Sequence, residues 1–404
     1  MTPKSKLRMI IRSPRNLLLL IIAGFFISCG KTNTPPIPHF PIGSAYPNIC
    51  ETDRAFMMIW YEGNKHIVMS EFTGEKWTPK DTVVSSEHFF KNWADLPQIY
   101  YVGGDTIALS WLEMSGERTY DYDIKVVMSL DRGKTWSDPV IPHRDGIKGE
   151  HGFVSFFKYL GEIGLIWLDS RAMMTSDYSL SSRGMRLYAS TINPNGNLGP
   201  EIMLDDMVCE CCPTSAVITN DGPLIAYRDR TTDDVRNIKL AFVNRSRFPY
   251  YINEDGWIIP GCPVNGPKMA VNGDKVAIAW YTAPNNEPKV NIAFSKDGGI
   301  SFGNPIKIDN GSAIGRVDVL WLDKERLIVS WLEEKSNNGE LVLKTLNAES
   351  GSISFQTSFP TNSGRRSGYP KLAKTDDLVF ITWTKTGKKT VIRSEWIPVN
   401  KIFQ

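Results

Sequence analysis

The sequence predicts an all-β protein, a β-propeller of four-stranded antiparallel blades, with seven blades favoured by the repeat count and six as the alternative. Three observations lead there. An aliphatic run ending in an aromatic residue recurs seven times, at intervals of roughly fifty residues. Short β-branched and aromatic stretches flank each copy, and Gly, Asn and Asp punctuate the gaps as turns between strands require.

Taken in chain order, the second strand of each unit reads FMMIWYE at Trp60, IALSWLE at Trp111, GLIWLD at Trp167, LIAYRD at Tyr227, VAIAWYT at Trp280, LIVSWLE at Trp331 and VFITWTK at Trp383. Ahead of each stands a shorter run, often with proline near its start: AYPNIC, DLPQIYYV, FVSFFKYL, CPTSAVIT, GPKMAV, RVDVLWL and GYPKLA. These read as innermost strands. Behind come alternating runs such as IKVVMS, MRLYAST, IKLAFV, VNIAFS and LVLKTL, the third strands. Two separate β-sandwiches do not explain copies that stay in phase along the whole chain. The last unit ends after three strands, so residues 37–42 are expected to supply its outer strand and close the ring, removing exposed sheet edges.

The first residues read as a leader. Lys4, Lys6, Arg8, Arg12 and Arg15 precede an apolar run from Leu17 to Ile27, which is short for a membrane span and is followed by Ser28 and Cys29. That arrangement resembles the lipobox of bacterial lipoproteins. The resemblance implies an export signal over residues 1–28, a lipidated Cys29 as first mature residue, a Pro-rich tether over residues 29–43, and a propeller over residues 44–404. The expected location is outside the cytoplasm, lipid-anchored to a bacterial membrane, in the periplasm or on the cell surface. A net charge of +2 with scattered basic residues gives no nucleic-acid stripe and no polybasic membrane patch.

Two turns after third strands share one pattern. SLDRGKTW, from Ser129, and SKDGGISF, from Ser295, both fit S-x-D-x-G-x-[TS]-[WF]. Asp131 and Asp297 can accept hydrogen bonds from the turn, Gly133 and Gly299 can supply positive φ, and Trp136 and Phe302 can tuck under the hairpin. The pattern resembles the Asp-box, or BNR repeat, of sialidases and related propellers. The resemblance implies a propeller whose boxes are structural and lie on outer hairpins, with a ligand pocket at the centre and exo-α-sialidase-like hydrolysis as the related activity. Two features depart from it: sialidases have six blades, and residues 44–404 hold no Arg-Ile-Pro-type motif.

In a propeller, the starts of inner strands and the ends of second strands share one rim. The sequence brings Arg171, Arg228, Arg230, Arg316, Arg366, Glu150 and His151 there as candidate substrate contacts, with Asp229, Asp318, Glu210 and Tyr369 as candidate acid, base or nucleophile. Arginines clamp an anionic sugar through paired guanidinium contacts, and carboxylates or a tyrosine serve glycoside cleavage. Arg316 and Asp318 alternate on one strand, so both should face the channel.

CECCP precedes the inner strand of the fourth unit and GCPVNGP that of the fifth, so Cys209, Cys211, Cys212 and Cys262 should lie together. Disulfides suit an exported protein and are the leading expectation, Cys262 pairing with Cys209 or one of the adjacent pair. A soft metal such as Cu(I) is the second, since C-x-C-C departs from paired zinc knuckles. Thiol redox is the third. No other cofactor is expected. The sequence thus favours a propeller that binds, and on one reading hydrolyses, an anionic glycan. A non-catalytic platform for a protein partner, or a copper-handling or redox protein, are the alternatives.

Overall fold

The computed structural model describes residues 34–174, 184–243, 248–336 and 338–403; the expected leader and Cys29 lie outside the described residues. The described chain forms seven antiparallel sheets, five of four strands and two of three. In every sheet the strands stand in chain order, from inner to outer edge. The first strands are Ala45–Glu51, Gln98–Gly103, His151–Tyr159, Ser215–Thr219, Lys268–Asn272, Ala313–Trp321 and Lys371–Lys374. Each packs beside the first strand of the next blade, and the last packs beside the first, so the sheets form a closed ring of seven blades.

The seven repeated aromatics fall on the second strands and are all buried. Alternation puts a strand residue and the one two positions on upon the same face. In the third blade, Trp167 Nε1 therefore donates to Asp169 Oδ2 at 2.9 Å. In the sixth, Trp331 Nε1 donates to Glu333 Oε1 at 2.7 Å. These repeated carboxylates satisfy buried indoles, which a buried donor requires.

Ring closure differs from the expectation. Residues 37–42 form no strand, because Pro35, Pro36, Pro38 and Pro41 offer no N–H to a ladder. Phe40 instead stands edge-on to Trp60, 5.3 Å between centroids. The seventh blade keeps three strands, and aromatics seal it to the first. Phe56 stacks on Phe380 at 5.3 Å, and Phe72 meets Trp396 at 4.9 Å. Backbone bonds support the seam: Gly43 N–H to Thr390 C=O at 2.9 Å, and Tyr46 N–H to Thr384 Oγ1 at 2.8 Å.

The two patterned turns fold alike. Asp131 accepts from Thr135 N–H and Oγ1 at 2.8 and 2.7 Å, and Asp297 from Ser301 N–H and Oγ at 2.9 and 2.6 Å. Gly133 and Gly299 have φ of +87° and +84°. A Cβ on Gly133 would meet Met69 of the first blade at 2.4 Å, and one on Gly299 would meet Leu224 of the fourth at 2.3 Å. Each turn thus presses on the preceding blade, with Trp136 and Phe302 packed against the core. Because third strands run opposite to second strands, these turns lie on the rim opposite the second-strand ends.

Replacing Trp396 or Phe380 by alanine is expected to cost about 3–5 kcal/mol of unfolding free energy. Urea unfolding checks this, and a loss below about 1 kcal/mol would place the seal elsewhere.

Candidate functional site

The loops of the fourth and fifth blades meet backbone to backbone at the rim. A Cβ on Gly266 would lie 1.8 Å from the carbonyl oxygen of Pro213, so only glycine permits the approach. Asn265, next to it, ties four segments together. Its N–H points at Cys212 Sγ, 3.4 Å away, and its C=O accepts from Arg228 Nε at 2.8 Å. Its Oδ1 accepts from Arg316 N–H at 2.7 Å, and its Nδ2 donates to Ile314 C=O at 3.0 Å. Arg228 and Arg316 therefore stand on one rim, as the sequence implied.

A cleft of about 300 Å³ opens beside Asn265. Trp93, Trp257 and Tyr281 give it aromatic walls, Arg316 and Arg365 give it positive charge, and Cys262 stands at its edge. Trp257 and Tyr281 meet edge to face at 5.5 Å. The Arg316 guanidinium lies 4.8 Å from the Trp93 ring centroid, and one Nη donates to the carbonyls of Gly364 and Gly368 at 3.0 and 3.4 Å. Arg316 is only 4% exposed, yet no carboxylate lies within ion-pair distance among the described residues. Burial, with Arg365 adding to it, pushes its pKa down to about 10, so it stays charged at neutral pH.

Arg316 and Asp318 do not face one way. The register breaks between Gly315 and Asp318, and Arg316 has φ of +61°, so a bulge turns Arg316 to the rim cleft. Asp318 lies lower in the channel, where its Oδ2 accepts from Leu372 N–H at 2.8 Å and joins the sixth blade to the seventh.

Most other sequence-named residues are occupied elsewhere. Arg228, 1% exposed, gives its guanidinium to the carbonyls of Asn265, Arg236 and Tyr281 at 2.8, 2.7 and 2.6 Å, so it braces the rim instead of clamping a ligand. Arg230 pairs with Glu210 and with Asp234, the latter at 2.9 Å, and Arg236 holds the other Glu210 oxygen at 3.1 Å. Asp229 accepts from Tyr251 Oη at 2.5 Å and from Lys239 at 3.3 Å on the outer part of its blade, and burial raises its pKa. Tyr369 donates to Val264 C=O at 2.8 Å; burial moves its phenol far above the usual range, so it is a brace and not a nucleophile. Arg366 is exposed and outside the cleft wall, where its neighbour Arg365 stands.

The third-blade candidates form a separate charged block. Arg171 grips Asp169 through two bonds of 2.9 and 2.6 Å, reaches Glu201 at 2.9 Å, and lies 4.1 Å over Tyr188. His151, fully buried, stacks on His143 at 3.7 Å and places Nε2 3.1 Å from Asp145. Glu150 accepts from Tyr122 Oη at 2.6 Å, and burial raises its pKa. None of these three lines the cleft.

Inside the channel, away from the cleft, burial pushes Asp95 up to about 8 and, with Lys268 beside it, pushes Lys371 down to about 8. Cys50, Cys209, Cys211, Cys212 and Cys262 are free thiols, so the expected disulfides are not formed. Cys209 Sγ and Cys212 Sγ stand 3.2 Å apart and in C-x-x-C register, a relation hidden in the sequence by the intervening Cys211.

Sequence reasoning missed Trp93, Trp257, Tyr281 and Arg236. Trp93 and Trp257 carried one usable signal: tryptophans in turn-rich segments, outside the repeating strand pattern.

No protein-family model matches the sequence, and no curated protein matches it. Solved structures do. The polysaccharide lyase Uly1 is 11% identical over 89% of this chain and 90% of its own, with a TM-score of 0.52. The NanB sialidase from Streptococcus pneumoniae is 11% identical over 85% of this chain and 83% of its own, at 0.49. The GH93 α-L-arabinofuranosidase of Fusarium graminearum is 15% identical over 90% and 95%, also at 0.49. At such identities the likeness concerns the fold alone, and the closed ring of seven blades is the propeller expected from the sequence.

Burial disfavours a charged His151, but the hydrogen bond to Asp145 and the fields of Asp169, Asp145 and Asp123 outweigh it, so its pKa is raised above 6.5. A raised folded value stabilises the fold fully below the unfolded value, and the contribution is lost as pH rises through the folded one. Asp145, moved the other way, contributes throughout that range. His151→Gln is therefore expected to cost more stability at about pH 5.5 than at about pH 8.5. Urea unfolding at both values measures it; an equal or opposite difference contradicts the pairing.

Proposed function

We propose that the protein binds an anionic carbohydrate in the rim cleft. The carrying observation is Arg316, a buried cation on the Trp93 face, without an acidic partner among the described residues and open to a cleft walled by Trp257 and Tyr281. Sugar rings pack their C–H faces on aromatic walls, and a guanidinium supplies paired donors to a carboxylate or sulfate. A charge buried without a counter-ion is costly, so an anionic ligand at that point recovers what the empty site loses. Arg365, exposed at the same wall, adds positive charge at the entrance.

Asp229, Glu210, Asp318 and Tyr369 are each held by protein partners and none of them lines the cleft, which supports binding ahead of bond cleavage. The leader and Cys29 support an exported protein tethered by lipid, with the cleft serving ligands outside the cytoplasm.

Titration calorimetry with uronate-containing, sulfated and sialylated oligosaccharides tests the reading, alongside turnover assays on the matching aryl glycosides. Arg365→Ala, an exposed change, is expected to weaken binding by about tenfold, and Arg316→Ala by about 10–150-fold, the range for a lost charged hydrogen bond. Failure of every anionic sugar to bind, or unchanged affinity in both variants, overturns it.

A further inference from the structure

Three thiols meet beside the cleft. Cys209 Sγ lies 3.2 Å from Cys212 Sγ and 3.9 Å from Cys211 Sγ, and the three sulfurs all lie within 4.8 Å of one another. Cys209 and Cys212 are each 1% exposed, whereas Cys211 is half-buried and Cys262 is exposed. Cys262 reaches the Cys211 thiol from the next blade but stands outside the group of three.

A second observation points to negative charge here. The Arg228 guanidinium bears on Cys212 electrostatically. Its hydrogen bonds all go to carbonyl oxygens, which carry no net charge, its guanidinium lies 5.1 Å from the Trp257 ring centroid, and no carboxylate pairs with it among the described residues. The Asn265 N–H also points at Cys212 Sγ. A buried guanidinium with no counter-anion is destabilising by several kcal/mol, and a thiolate cluster supplies the missing charge. Arg236, equally buried, stands on the same side but is already paired with Glu210 and Asp234, so the unpaired charge is that of Arg228.

We infer that Cys209, Cys211 and Cys212 bind one Cu(I) ion as a three-thiolate site, with Cys262 covering its mouth. Soft thiolates select soft ions, and three thiolates with one monovalent ion leave a net negative charge facing Arg228. Zinc in a structural site takes four ligands, at about 2.3 Å from each thiolate, so its sulfurs sit at about 3.8 Å from one another. Cys262 does not stand at such a place relative to the other three. The assignment is independent of the carbohydrate reading, since it uses neither Arg316 nor the aromatic walls.

The test uses the full-length protein, reduced and handled without oxygen. Cu(I) is titrated against a Cu(I)-selective chelator of known affinity, with metal counted by mass spectrometry and thiols counted after denaturation. One Cu(I) per chain is expected, with an ultraviolet thiolate-to-copper absorption. Cys211→Ser, on the half-buried thiol, and Cys209→Ser should each lose more affinity than the about 10–100-fold typical of a merely supporting group. Cys262→Ser should stay within about tenfold of the parent. Thermal melts confirm that each variant is folded. No Cu(I) uptake by the reduced protein overturns the site. So does native protein whose four cysteines are joined as two disulfides. A Cys262→Ser loss as large as that of Cys211→Ser, with Zn(II) retained in place of Cu(I), overturns it in favour of a four-thiolate zinc site.

Discussion

A propeller blade is apolar on both faces, so each sheet needs a neighbour on either side and the row of blades must close on itself. Here closure falls to aromatic packing: Phe56, Phe72 and Trp77 of the first blade against Phe380 and Trp396 of the seventh. The proline-rich segment before the first blade cannot contribute a strand, so no shared sheet spans the seam. Every position on the rim follows from that seal. It sets the angle between blades, and with it how closely the loops entering adjacent inner strands approach.

At the rim the approach becomes backbone contact, and Asn265 is the joint. Its main chain and amide serve Cys212, Arg228, Arg316 and Ile314 at once. The carbonyls exposed where strands end need donors, and Arg228 answers three of them with one rigid fork. Arg171 and Arg230 are held in the same way by acids of their own blades. Arg316 is the exception. A bulge at Gly315 and Arg316 turns its side chain out of the strand alternation and onto Trp93, leaving most of its donors uncommitted.

The same rim separates two chemistries by a few residues. Aromatic walls with Arg316 and Arg365 make a cleft suited to a sugar ring with an acid group. The sulfur cluster beside it, backed by Arg228, makes a small pocket of thiols, the place of the proposed soft cation. Both share the 261–267 loop, since Cys262 borders the cleft and Asn265 contacts Cys212.

The propeller was legible in the amino-acid order because its causes are local: strand alternation, turn residues, and an aromatic at the same place in each unit. The patterned turns at Asp131 and Asp297 were legible for the same reason, as their hydrogen bonds close within a few residues. The approach of Cys262 to Cys211 was also legible, since equal repeats map onto adjacent blades. The roles of individual arginines and acids were not. Whether a guanidinium at a strand end faces a ligand or a carbonyl depends on which loop from another blade arrives beside it, and on a one-residue bulge that reverses its direction. Trp93 joins Arg316 from a loop more than two hundred residues away, a proximity that only the closed ring creates.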